Sequence, residues 1–385
     1  MVIKDAAVLT PEFELRPKTI AVNKDKFTDS ACGETISFPG CYILPGFIDT
    51  HFHGAMGEYL SYADEEKFKK ILNYCASTGT TTVTPTTMTD SIENLKNSIA
   101  RIKKAAEKRA AGLFGGAKIG GIHLEGPFIS KAFKGAQNPV FITEPTEERI
   151  NDLLSCFGRE LIKIITMAPE ADGACRAAEI LKSRGIAVSA GHTAADEQQM
   201  MRGMDYGFTR MTHTFNAMAP FLHRNPGALG AALTDGRVVN EIICDFLHVS
   251  KTAVKLLFSV KDINGVCIIS DSIPLCGMPD GEYKDLNGRG IYYTKKDGII
   301  KLKDGTIAGG SFSVLYGVKN CLNAGIDFKK VMAAATINPA RALGIDGTAG
   351  SIESGKQADF IVTDKHFNLL YTFIDGKMAY KAENA

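Results

Sequence analysis

The stretch that decides the fold is PGFIDTHFHG, residues 45–54. A Pro-Gly turn precedes a short β-prone run that closes on two histidines separated by one residue. Side chains alternate along a strand, so His51 and His53 project to the same face. Moving outward, short apolar and β-branched runs ending in polar residues alternate with helical patterns as far as Asp271. Eight strands are expected, at 47–54, 80–87, 118–126, 161–169, 186–193, 208–218, 238–249 and 265–272. Between them lie amphipathic helices: Phe68, Ile71, Leu72 and Cys75 share one face, as do Ile92, Leu95, Ile99 and Ile102. Eight βα units in succession favour an α/β fold closed into a (β/α)8 TIM-like barrel over residues 47–347.

The flanks carry a different pattern. Residues 1–46 are short β-like pieces, and 348–385 hold ADFIVTD and LYTFIDGKMAY with a turn at Asp375-Gly376. Neither end is long enough for a core of its own, so both termini are expected to combine in one small β-sandwich domain. Residues 274–310, rich in Gly and Asp with a short YYTK run and IIKLKDGTIAGG, are expected to form a β-hairpin insertion between the eighth strand and its helix.

Composition narrows the function classes. Of 385 residues 45% are hydrophobic and 23% charged, an ordinary globular balance that excludes a disordered or fibrous chain. Lys and Arg number 44 against 43 Asp and Glu, so the net charge of +1 provides no broad field for nucleic acid or an anionic membrane. Any anion site must be local. Nine cysteines are scattered without a CxxC spacing, which argues against a disulfide framework and a thiolate zinc site and for a reducing compartment. With no basic head before an apolar stretch and no long apolar run, a soluble cytoplasmic protein is expected.

The histidine pair has company. Glu125 ends the third expected strand in IHLEGP, His192 the fifth in SAGHT and Asp271 the eighth in IISDS, while His213 lies in the sixth in MTHTFNAM. Barrel active sites are assembled at the C-terminal ends of strands, so His51, His53, Glu125, His192, His213 and Asp271 converge on one rim. His123 shares the parity of Glu125 but sits deeper, where a supporting hydrogen bond fits better than coordination. Four imidazoles and two carboxylates in one mouth require compensation, which a divalent metal supplies directly. Nitrogen and oxygen donors without sulfur suit Zn, Fe, Mn or Co.

PGFIDTHFHG followed by LEGP, AGHT, HTFNAM and SDS resembles the amidohydrolase superfamily. The segments LEGPF, KGAQNP, TMAPE, HTFNAM and RNPG, with the closing SIESGKQADFIV, resemble its N-acetylglucosamine-6-phosphate deacetylases over nearly the whole chain. The resemblance implies that His51, His53 and Glu125 hold one metal and Glu125, His192 and His213 another. The fourth strand ends in TMAPE and Lys163 comes too early for the carboxylated lysine bridge of many superfamily members, so Glu125 is the expected bridge. One or two divalent ions per chain follow, and the intact histidine pair favours two.

The same resemblance implies hydrolysis of the acetamide of N-acetyl-D-glucosamine 6-phosphate, giving D-glucosamine 6-phosphate and acetate. Asp271 fits as the proton carrier of that reaction, a role compatible with metal ligation. By resemblance His248 contacts the sugar phosphate, Asn216 and the Ala217 backbone hold the phosphate, and Arg224 in FLHRNPG is supplied by the neighbouring subunit of a homodimer. Gln137 in KGAQNP stands where family members often carry His, and an amide can bind substrate but cannot supply a proton. Ala308, Gly309 and Gly310 in IAGGS either bring backbone groups to the sugar or serve as loop residues. A deacetylase of N-acetylgalactosamine 6-phosphate or another metal amidohydrolase remains the neighbouring alternative. A catalytically silent barrel scaffold would show eroded ligands, and all six are intact.

Overall fold

The computed structural model describes residues 1–385 apart from 31–32, 156, 158–159, 285–290 and 384. Eight parallel strands build the barrel: β1 (Phe47–Phe52), β2 (Thr80–Thr87), β3 (Ile122–Glu125), β4 (Ile162–Met167), β5 (Ala187–Ala190), β6 (Phe208–Met211), β7 (Val239–Ile243) and β8 (Val266–Ile269). Each pairs with the next in sequence. A separate piece, Lys118–Ile119, lies beside β2 because Gly120-Gly121 interrupts the expected third strand, with Gly121 at φ 134°. β8 meets β1 at the mouth. There the Asp271 N–H donates to His51 O at 3.0 Å and the His53 N–H to Ser272 O at 2.8 Å. The Ser270 N–H donates to Asp49 Oδ1 at 3.3 Å along the same seam.

Several strands end sooner than the sequence suggests. β5, β6 and β8 stop at Ala190, Met211 and Ile269, and the chain then passes through left-handed backbone at His192 (φ 48°), His213 (φ 28°) and Asp271 (φ 48°). Such a conformation cannot continue a strand. His213 is therefore not within the sixth strand as expected but in the turn after β6, and His248 lies in a loop well beyond the end of β7 at Ile243. His192 and Asp271 likewise follow their strands.

The helices pack on the outside of the sheet. In Glu65–Ser77 the Asp64 side chain accepts the Lys67 N–H at the start, and Phe68, Ile71, Leu72 and Cys75 are buried. In Ile92–Ala110 Ser91 caps the start, and Leu95, Ile99 and Ile102 face inward.

Both chain ends contribute to two further sheets. One has four strands from residues 2–37; the other has six, running from Lys377–Lys381 through Leu369–Ile374, Phe360–Thr363, Tyr42–Pro45 and Ala7–Leu9 to Leu15–Pro17. Ile3, Val8, Phe27, Ile43, Phe360 and Phe373 share one apolar cluster, in which the Phe360 and Phe373 rings stack at 4.5 Å. Asp375 (φ 53°) and Gly376 (φ 70°) make the tight turn read from the sequence.

The insertion after β8 departs from expectation. It is not a single hairpin but a three-stranded antiparallel sheet of Gly281–Lys284, Tyr292–Lys296 and Ile299–Leu302, and 285–290 of the expected segment lie outside the described residues. Tyr293 of its middle strand meets Tyr59 hydroxyl to hydroxyl at 2.7 Å, tying the insertion to the loop after β1. No helix among the described residues is long and apolar enough to cross a membrane. The described cysteines are all free.

Candidate active site

Glu125, the last residue of β3, is the hub of the barrel mouth. Its Oε1 lies 3.0 Å from His213 Nε2, 3.2 Å from His192 Nε2 and 3.4 Å from His51 Nε2, and its Oε2 lies 3.4 Å from His53 Nε2. Asp271 Oδ1 is 3.3 Å from the Nε2 atoms of both His51 and His53. The left-handed turns at His192, His213 and Asp271 fold these side chains over the end of the barrel. The six residues expected to converge do so, and all are buried.

Each imidazole is gripped from behind at Nδ1. His53 meets Thr86 O at 3.2 Å, His192 Phe133 O at 2.9 Å, His213 Asn216 O at 3.2 Å and His51 Glu241 Oε2 at 3.2 Å. Those partners only accept, so Nδ1 carries the proton and Nε2 turns a lone pair to the centre. There His51 and His53 Nε2 approach to 3.2 Å, and His192 and His213 Nε2 to 3.1 Å. Acceptors crowded in this way need positive charge between them. Two donors ~2.0–2.2 Å from one tetrahedral zinc lie roughly 3.3–3.5 Å apart, close to the spacings found. The donor set thus fits divalent metal in two triads sharing Glu125: His51, His53 and Glu125, and Glu125, His192 and His213.

A third triad, His51, His123 and Glu241, is closed by its own bonds. His123 uses Nδ1 on Thr50 O at 3.1 Å and Nε2 on Thr166 Oγ1 at 2.7 Å, while Arg210 Nη2 donates to Glu241 Oε1 at 2.9 Å. Burial holds His123 down at about 3, and it stays neutral. This layer supports the mouth from below.

Electrostatics in the mouth point the same way. Burial alone would lower the His51 imidazole, but Glu125, Asp271 and Glu241 push it up to about 10. Burial would raise the Glu125 and Asp271 carboxyls, yet the surrounding histidines, His51 foremost, hold both below their ordinary values. A proton on His51 thus supplies part of the positive charge these acceptors need, the charge a divalent ion would bring in its place.

Above the donors lies a cavity of about 340 Å³, lined by His53, Glu125, Gln137, His192, His213, Asn216, Ala217, His248, Asp271, Ala308 and Gly309, with Tyr59, Ile307 and Tyr293 among its walls. His51 is beneath it and fully buried. Gln137 donates from Nε2 to Glu125 Oε2 at 2.5 Å. His248 stands between Asp245, whose Oδ2 is 2.6 Å from its Nδ1, and Ala308 O, 3.0 Å from its Nε2. Gly309 and Gly310 pack on the seam: a Cβ on Gly309 would come within 2.4 Å of Asp271 O, and one on Gly310 within 2.0 Å of Ser270 O. Close approach explains that pair of glycines. Arg224 is not brought to the cavity; it is exposed at the tip of a turn closed by reciprocal Leu222–Asn225 backbone bonds.

Three residues escaped the sequence reading: Glu241, Arg210 and Asp245. Glu241 and Arg210 share their short strands with Asn240 and Thr209, so a single charged residue did not stand out there, and only the pairing of the two strands brings the charges together. Asp245, three residues before His248, carried no signal.

The model of the amidohydrolase family matches residues 42–379. An N-acetylglucosamine-6-phosphate deacetylase of Bacillus subtilis (strain 168) is 31% identical over 396 residues, covering 100% of this chain and 98% of that protein. An N-acetylgalactosamine-6-phosphate deacetylase of Escherichia coli O157:H7 is 30% identical, covering 88% and 87%. Among solved structures, a mutant N-acetyl-D-glucosamine-6-phosphate deacetylase from Mycobacterium smegmatis in complex with N-acetyl-D-glucosamine-6-phosphate superposes with a TM-score of 0.90 at 29% identity, covering 99% of both chains.

Proposed function

The chain belongs to the amidohydrolase family, and we propose that it hydrolyses the acetamide of N-acetyl-D-glucosamine 6-phosphate to D-glucosamine 6-phosphate and acetate. The observation that carries this reading is the ring of four Nε2 atoms turned onto Glu125 and Asp271 at the floor of a cavity large enough for a sugar phosphate. The gluco epimer is supported by the relative matched along its whole length and by the ligand of the mycobacterial structure.

Family membership makes the chemistry metal-dependent. In our reading His51, His53, Glu125 and Asp271 hold one divalent ion and Glu125, His192 and His213 a second, the metal being Zn, Fe, Mn or Co. Divalent ions held by these residues would supply polarisation of the acetyl carbonyl and a lower pKa for water, from ~15.7 to about 7. Asp271, at the edge of the cavity, takes the proton of the attacking water and returns it to the departing amine. Gln137 offers its amide beside Glu125 to orient the acetyl group. Asn216, the Ala217 backbone and His248 line the part of the cavity suited to the sugar and its phosphate, Ala308 and Gly309 continue the wall beside His248, and Gly310 supports that wall on the seam. Arg224, exposed in the single chain, is assigned to the phosphate of a neighbouring site in a homodimer. The scattered cysteines, none in a CxxC spacing, support a reducing, cytoplasmic location.

The test combines metal analysis of the purified protein with acetate release from both 6-phosphorylated epimers and from unphosphorylated N-acetylglucosamine. The reading requires metal-dependent release that is fastest with the gluco 6-phosphate. Equal or faster release from the galacto epimer would reassign the substrate.

A further inference from the structure

The four inward-facing histidines are not held alike. His53, His192 and His213 lean on neutral backbone carbonyls, whereas His51 alone leans on a carboxylate, Glu241. Glu241 is fully buried. Its Oε1 is occupied by Arg210 Nη2 at 2.9 Å and by the Thr50 hydroxyl at 3.2 Å, which leaves Oε2 to His51. A buried ion pair is a poor source of stability, because an apolar pair of the same volume usually serves as well or better. Barrel interiors are ordinarily filled by layers of branched apolar side chains. This pair sits directly beneath one of the two donor triads.

We propose that Glu241 and Arg210 are positioning residues for the His51 side of the metal centre. Arg210 fixes the rotation of the Glu241 carboxylate and balances its charge. The carboxylate then holds the proton of His51 on Nδ1, aims the Nε2 lone pair at the mouth and makes that nitrogen a stronger donor. Among the described residues His192 and His213 are backed at Nδ1 by the carbonyls of Phe133 and Asn216 and by no carboxylate, so this support acts on the His51 side. This proposal rests on the two-ion reading given above.

Titration of metal-stripped protein with Co(II) tests it, read by ions bound per chain and by the visible absorption of each bound cobalt. Wild type is expected to bind two. Glu241→Gln is expected to keep one ion at wild-type affinity and to weaken the other at least about 10-fold. Removing one member of a buried pair destabilises the fold, so the charge-neutral double substitution Arg210→Met with Glu241→Gln repeats the measurement. Retention of both ions at wild-type affinity, or equal weakening of both in a folded chain, overturns the proposal. Histidine 15N spectra of the zinc-loaded wild type provide a second readout that needs no variant. The proton must be on His51 Nδ1, and its appearance on Nε2 overturns the proposal without any mutation. A wild type that binds a single ion, undisturbed by His51→Ala with His53→Ala, defeats instead the two-ion reading.

Discussion

Gln137 spans two partners: its Nε2 donates to Glu125 Oε2 at 2.5 Å, and its Oε1 accepts the Thr89 N–H at 2.8 Å. The Thr89 N–H can only donate, so it decides which end of the amide faces Glu125. Gln137→Leu strands a buried N–H and a buried carboxylate oxygen. Urea unfolding of the metal-free protein should show a loss of about 1–3 kcal/mol. A change under ~0.5 kcal/mol, the ordinary range of a surface substitution, would show that these two hydrogen bonds do not hold Glu125 in place.

Asp271→Asn keeps size and shape but cannot carry a proton. We expect kcat to fall at least about 100-fold with KM for the sugar phosphate little changed. A variant with near wild-type turnover excludes Asp271 as the proton carrier.

His248 and Asp245 form a pair whose effect on stability depends on pH. Burial would lower the imidazole, but the hydrogen bond and charge of Asp245 and the Ala308 carbonyl raise it above its ordinary 6.5. Burial would raise the Asp245 carboxyl, but His248 lowers it below 3.8. The histidine's contribution is complete below 6.5 and is lost as pH rises through the folded-state value; the aspartate's is complete above 3.8 and is lost as pH falls through its own. The stability difference between wild type and Asp245→Asn should therefore be largest near about pH 5 and shrink by about pH 9. Denaturation at both values checks it, and an unchanged difference contradicts the pairing.

Arg224→Ala should raise KM strongly for the 6-phosphate substrate while barely altering hydrolysis of the unphosphorylated sugar, since only the phosphate forms charge-assisted bonds. Mixing Arg224→Ala chains with Asp271→Asn chains should restore part of the activity, because a heterodimer contains one site with both residues intact. Verified heterodimers without recovery would return the phosphate anchor to the same chain.

The repeating βα rhythm and the two-residue spacing of His51 and His53 made the barrel and its rim legible, because strand periodicity and strand-end placement are local properties of the chain. What was not legible lay where the period breaks. Left-handed turns at His192, His213 and Asp271 ended strands that looked continuous. Glu241 and Arg210 acquire meaning only when β6 and β7 lie side by side and a residue from β1 reaches across to them. The third strand of the insertion was hidden because Gly- and Asp-rich sequence obscures a strand as exposed as Gly281–Lys284.

The seam that closes the barrel joins Ser270 to Asp49, partners 221 residues apart. A ribosome adding about 5–20 residues per second needs roughly 10–45 s to travel between them. During that time His51 and His53 have left the exit tunnel, and Asp271 has not been made. The histidine pair therefore waits through most of translation in a nascent chain whose eighth strand is missing. The order of synthesis therefore brings the pair together with Glu125 first and with Asp271 only after the eighth strand has been made, so the donor set is completed in two stages.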